Sequence, residues 1–121
     1  MRRPDDFAQT IRSGVRAGAP RLVVHLRVAG PGATNGTGRL VGLVVSRAVG
    51  PAVVRTRVKR RLRHQVRDRL TTLPAGCRLV VRALPASAAA SSAELAGDLD
   101  GALVSAQRRS SRRSRPRAQS R

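Results

Sequence analysis

The chain has 121 residues and a formal net charge of +19, from 25 Lys and Arg against six Asp and Glu. That length admits one domain with a modest core. Its single cysteine, Cys77, excludes an intrachain disulfide and suits a reducing cytosol, so a cytoplasmic location is expected. Phe7 is the only aromatic residue, which excludes a sheet that stacks several RNA bases on aromatic rings. No long apolar run or lipidation signal points to a membrane, and the start MRRPDDF lacks the apolar stretch of a signal peptide. The charge is not confined to one end. Residues 108–121 hold seven Arg and no acid, which leaves +12 on the rest of the chain, and between Phe7 and Arg67 thirteen residues are basic and none is acidic. Such a distribution is the footprint of a partner that releases counterions, a nucleic acid above all.

In chain order, Pro4-Asp5-Asp6 predicts a helix start, with Phe7 and Ile11 on one face and Gly14 and Gly18 ending the element. Phe7 reads as a core anchor or as a stacking platform for a nucleotide. RLVVHLRV (residues 21–28) alternates. Leu22, Val24, Leu26 and Val28 mark a buried face, and Val23, His25 and Arg27 a mixed one on which His25 is surface or half-buried. Asn35-Gly36, in a Gly-rich stretch, then predicts a hairpin to the strand Leu40–Ser46, whose continuous apolar run suggests a central position buried on both faces. Gly50-Pro51 forces a bend ahead of the next helix. A third long strand follows at Cys77–Leu84, with Cys77 a partly buried thiol at its start. Ser91 and Glu94 fit a capping box, and Leu95, Leu99, Ala102, Leu103 and Ala106 predict an amphipathic helix. One domain over 1–107 and a disordered Arg-rich tail over 108–121 are expected, the tail attracting RNA without specificity.

Everything is organised around Val53–Leu70, VVRTRVKRRLRHQVRDRL. Val54, Val58, Leu62, Val66 and Leu70 recur every fourth residue and form one apolar stripe of a helix. The opposite face carries Thr56, Arg57, Arg60, His64 and Arg67, with Lys59 and Arg63 flanking the stripe. Eight of the fifteen residues from Arg55 to Arg69 are Lys or Arg, and the only acid is Asp68. Like charges at i,i+4 destabilise a helix by a few tenths of a kcal/mol per pair, roughly. An ordinary solvated helix mixes signs; this one is built for a polyanion. The six acids sit at helix starts or on helix surfaces, the only histidines are His25 and His64, and no metal-ligand or paired-carboxylate spacing occurs. No catalytic side-chain constellation is expected, and the chain reads as a phosphate binder whose partner supplies the chemistry.

The run LVGLVVSRAVGPAVVRTRVKRRLR (residues 40–63) resembles the signature region of the bacterial ribonuclease P protein component. That family has a strand, Ser-Lys-Lys, a Gly-x-Ala-Val loop and an Arg-Asn-Arg helix rich in further Lys and Arg. Asp6-Phe7, the strand near His25 and RLVVRALP (residues 78–85) fall in the family's order, so the resemblance spans about residues 2–106. Thr56 stands where the family usually has Asn, Arg47-Ala48 where it has two Lys, and Ile11 where a second Phe is common. The resemblance implies an α+β, two-layer sandwich in the order helix-strand-strand-helix-strand-helix, with a left-handed βαβ crossover, like domain 2 of ribosomal protein S5. It implies a subunit that binds a large catalytic RNA, which with Mg²⁺ held mainly by that RNA removes the 5′ leader of precursor tRNA by hydrolysis. Phe7 and Ile11 would line a leader cleft between the first helix and the sheet. Arg55, Thr56, Arg60 and Arg63 would contact leader or catalytic RNA, and Arg57, Lys59 and Arg61 would support phosphate binding. Arg47 and Arg67 complete the expected RNA-binding set. A ribosomal or ribosome-associated RNA-binding protein is the alternative. A DNA-binding module is disfavoured because Gln65 alone on the basic helix suits base-edge readout.

Overall fold

The computed structural model describes residues 10–11, 14–27, 40–73 and 76–114. The strands are β1 (Val15–Gly18), β2 (Leu22–Arg27), β3 (Leu40–Val44) and β4 (Arg78–Ala83); the long helices are α1 (Ala52–Arg67) and α2 (Ser92–Ser114). Thr10 and Ile11 are helical, in the region where the first helix is expected, while Phe7 and the Asn35-Gly36 turn lie outside the described residues. Short 3₁₀ turns, Leu70–Thr72 and Pro85–Ala89, follow α1 and β4. The architecture is α+β, two layers deep, as the resemblance implies. Along the strands Val15, Ala17, Leu22, Val24, Leu26, Leu79, Val81 and Ala83 face one way and share a single core with Val58, Leu62 and Val66 of α1 and Leu95, Leu99, Ala102, Leu103 and Ala106 of α2.

Three expectations need correction. β1 was not anticipated, because the helix was expected to run to Gly14 and Gly18. Four residues are too few to show a period, yet Val15 and Ala17 are buried while Arg16 and Gly18 are exposed, and the strand pairs antiparallel with β2. The expected hairpin between β2 and β3 does not form. The sheet order is β1-β2-β4-β3, with β4 antiparallel to β2 and parallel to β3. Nor is β3 the central strand: it is an edge, and Val41, Leu43 and Val44 are only half-buried. The physical reason is the same for both. α1 must lay its apolar stripe on the sheet, and the chain that leaves it re-enters beside β3 in the parallel sense. β4 carries Leu79, Val80 and Val81, all fully buried, and so takes the position covered on both faces. Cys77, at its start, is fully buried.

The last helix also runs further than expected. α2 continues to Ser114, so residues 108–114 are helical rather than part of a disordered tail. Arg is a good helix former, and cations near a C-terminus suit the helix dipole. At the other end the capping box is present: the Ser91 amide donates to Glu94 Oε1 at 2.9 Å, and the Glu94 amide to Ser91 Oγ at 3.1 Å.

Candidate nucleic-acid interface

α1 is positioned from both ends. Val49 is buried ahead of it, and Gly50 follows at φ +155°, a backbone conformation that side chains disfavour. A Cβ there would also press on Val54, at 3.1 Å from its nearest methyl. Pro51 is the N-cap, and the Arg55 side chain reaches back to donate to the Gly50 carbonyl at 3.1 Å. At the far end Arg69 donates to both Asp100 oxygens and to Gln65, and Gln107 donates to the Thr72 carbonyl, which tie the end of α1 to α2. With Val58, Leu62 and Val66 buried, the stripe of the helix is fixed on the core and its other faces are turned out.

The cations on those faces divide into two groups. Arg57 donates to the Ala88 carbonyl at 3.4 Å and Arg61 to the Ala90 carbonyl at 2.5 Å. Both clamp the 3₁₀ turn that leads into α2, and Arg61 is half-buried. Lys59, Arg60, Arg63 and Arg67 are exposed and make no hydrogen bond or ion pair with a described residue. Arg47 is exposed in the turn before the helix, and Ile11 is half-buried in the N-terminal helical segment. A groove of about 400 Å³ runs over the first turns of α1, lined among the described residues by Ala52, Val53, Thr56, Arg57 and Arg60. Val53 is 78 % exposed there, an apolar contact surface between hydrogen-bonding and charged groups.

The acids explain why this face stays unneutralised. Glu94 and Asp98 both bind Arg21 in the β1–β2 turn: the Arg21 Nη2–Glu94 Oε2 distance is 2.9 Å, and the Arg21 amide donates to Asp98 Oδ2 at 3.0 Å. Asp100 takes Arg69, and that bond holds its carboxyl below the usual carboxylate range. Glu94 is likewise lowered, first by the Ser91 amide of the capping box and then by Arg21. Asp68 faces only His64, at 3.8 Å, with both side chains exposed. Three of the four described acids thus lie on α2 and hold structural arginines.

The sheet face turned away from α1 and α2 holds Val23 and His25 of the mixed face together with Arg16 and Arg82, which the sequence does not single out. Its cross-strand rows are Arg16–His25–Val80–Gly42 and Gly18–Val23–Arg82–Val44. His25 was expected at the surface or half-buried; it is 4 % exposed, and neither ring nitrogen has a hydrogen-bond partner among the described residues. Burial, then Arg82 and Arg16, push its pKa below the ordinary value. A buried polar group left unpaired costs about 1–3 kcal/mol. Gly14 is fixed by a close approach: a Cβ would stand 2.5 Å from the Thr10 carbonyl oxygen and 2.7 Å from that of Leu26. The fully buried Thr10 and its neighbour Ile11 are thereby held beside the end of β2.

Among the described residues no group of three or more His, Cys, Asp and Glu could hold a metal ion, and no helix is long and apolar enough to cross a membrane. With Glu94, Asp98 and Asp100 committed to arginines, the described residues do not fit Mg²⁺. A small α+β sandwich with three of its four described acids holding arginines on one helix, and cations without a described partner on another, has the surface of a nucleic-acid-binding protein. The family model described as Ribonuclease P matches residues 1–107. Over 92 residues the chain is 58 % identical to the ribonuclease P protein component of Streptomyces griseus, covering 72 % of this chain and 74 % of the relative. Over 90 residues it is 46 % identical to that of Rhodococcus jostii, covering 73 % and 72 %. Among solved structures it is similar to the RNase P protein of Staphylococcus aureus, with a TM-score of 0.77, 20 % identity and coverage of 88 % of this chain and 94 % of that one. For the protein of Thermotoga maritima the values are 0.69, 23 %, 89 % and 94 %. The chain belongs to the ribonuclease P protein component family, and the ribosomal alternative gains nothing from these comparisons.

Proposed function

We propose that this chain binds the catalytic RNA of ribonuclease P through α1 and holds the single-stranded 5′ leader of precursor tRNA in a cleft between the first helix and the sheet face turned away from α1 and α2. The hydrolysis itself belongs to the RNA and to the Mg²⁺ that the RNA holds, in the cytoplasm. The observation that carries this reading is the division of charge: Lys59, Arg60, Arg63 and Arg67 are exposed and have no partner among the described residues, while the acids of α2 are bound to Arg21 and Arg69. Four phosphates met by those four cations would give a log–log salt slope of about −2.8, at about 0.7 per contact for unpaired RNA. In the groove, Thr56 offers a hydroxyl that donates and accepts, and Val53 offers apolar surface to a base or ribose. On the sheet, Arg16 and Arg82 supply charge beside His25, whose ring nitrogens have no hydrogen-bond partner among the described residues. The chain's contribution is positioning and neutralisation, which lower the ion concentration that the RNA needs.

The test is reconstitution with the cognate catalytic RNA. Protein alone should leave precursor tRNA intact. Added to the RNA, it should lower the Mg²⁺ requirement and favour precursor over mature tRNA. Equal binding of precursors with and without a leader would remove the sheet-face part of the reading.

A further inference from the structure

The core explains α2 only as far as Ala106, the last buried residue on it among the described side chains. The helix continues for eight residues more, about 12 Å at 1.5 Å per residue, to Ser114. Those residues are QRRSSRRS, with no apolar side chain among them, and no acid follows Asp100 in the chain. Arg108, Arg109 and Ser111 are exposed, and Arg112 and Arg113 occupy the next turn. Arginines four apart repel one another along a helix, which offsets part of what helix propensity and the dipole give this extension. It is tied to the sheet: Arg109 donates from Nη1 to the carbonyl of Arg16 on β1, the edge strand farthest from β3. Arg16 is exposed on the sheet face turned away from α1 and α2, in the same row as His25. α1 packs toward the opposite edge, against β3. α1 and the α2 extension are thus associated with opposite edge strands, β3 and β1, which lie about 14 Å apart in a four-stranded sheet.

We propose that the C-terminal extension of α2 is a second RNA-backbone site, which receives the leader where it leaves the sheet over the β1 edge. The inference rests on the leader reading given above and extends it. If α1 docks on the RNA that cuts, the strand enters the sheet from the α1 side. The nucleotides farthest from the cleavage point then arrive at β1, beside Arg16 and Arg108. A polyanion there relieves the repulsion within the extension, as for arginine-rich segments that order on binding.

The experiment uses the reconstituted holoenzyme and precursors whose leaders are lengthened stepwise from none. With the wild type, affinity should rise first as the leader fills the sheet face and again as it passes the β1 edge. The triple variant Arg108→Ser/Arg112→Ser/Arg113→Ser keeps Arg109 and its bond to β1. It should lose the second rise alone, about tenfold in Kd, and its salt slope for the longest leader should fall by about 2, three contacts at about 0.7 each. The corresponding triple Lys variant should keep the rise, which separates a loss of charge from a loss of folding. A second rise that survives in the Ser variant would overturn the proposal. So would an equal loss with leaderless precursors, since the extension would then touch the catalytic RNA or the tRNA body. If the wild type shows no leader dependence at any length, the leader reading itself falls, and this inference with it.

Discussion

Arg60 and Arg61 are neighbours of identical chemistry, and the structure gives them opposite tasks. Arg61 is half-buried, and its guanidinium donates to the carbonyl of Ala90, itself 2 % exposed at the entry to α2. Arg61→Ala leaves that carbonyl without its charged donor. Hydrogen bonds to charged groups contribute about 1.5–3 kcal/mol. A loss of about 2 kcal/mol would lower Tm by about 8–16 °C, at roughly 4–8 °C per kcal/mol for a domain of this size. Arg60 is exposed and lines the groove without a described partner. Arg60→Ala should change stability by no more than about 0.5 kcal/mol and reduce the salt slope of RNA binding by about 0.7. Arg63→Ala should behave like Arg60→Ala. Urea unfolding of the isolated chain, paired with binding of catalytic RNA across a salt series, separates the two effects. The reasoning is refuted if Arg61→Ala leaves the unfolding midpoint unchanged and lowers the salt slope as much as Arg60→Ala does.

Two other predictions concern the sheet face turned away from the helices and its border. Burial, with Arg82 and Arg16 beside it, holds the His25 pKa below 6.5, so the unfolded chain takes up a proton that the folded chain refuses. Stability should therefore fall as pH drops below 6.5, and the fall should be smaller in His25→Gln; urea midpoints at about pH 7.5 and about pH 5.5 give the comparison. A steeper fall in the variant would show that other groups control this range. Gly14→Ala forces a methyl group against two carbonyl oxygens, those of Thr10 and Leu26. It should destabilise by at least about 1–3 kcal/mol, the usual cost of overpacking, read by denaturant unfolding; an unchanged midpoint would mean that the close approach is dispensable.

The capping box at Ser91, the buried stripe Val58, Leu62 and Val66, and the apolar face from Leu95 to Ala106 were all readable in the chain, because each rests on contacts within a few residues. The basic character of α1 was readable for the same reason: charge density is a property of composition. Strand order was not. Nothing local to Leu40–Val44 says that β4 will insert between it and β2; that follows from where α1 must lie to bury its stripe. β1 escaped notice because four residues carry too little pattern, and the reach of α2 past Ala106 because charged residues show no apolar period. The split between Arg57 and Arg61 on one side and Lys59, Arg60, Arg63 and Arg67 on the other depends on carbonyls about thirty residues away, at Ala88 and Ala90. The burial of His25 depends likewise on neighbours brought across the sheet from β1 and β4. Local order and the nature of the partner are written in neighbouring residues. Which cations remain free to meet that partner is set by long-range packing, because a guanidinium that donates to a distant carbonyl is held in place by that contact.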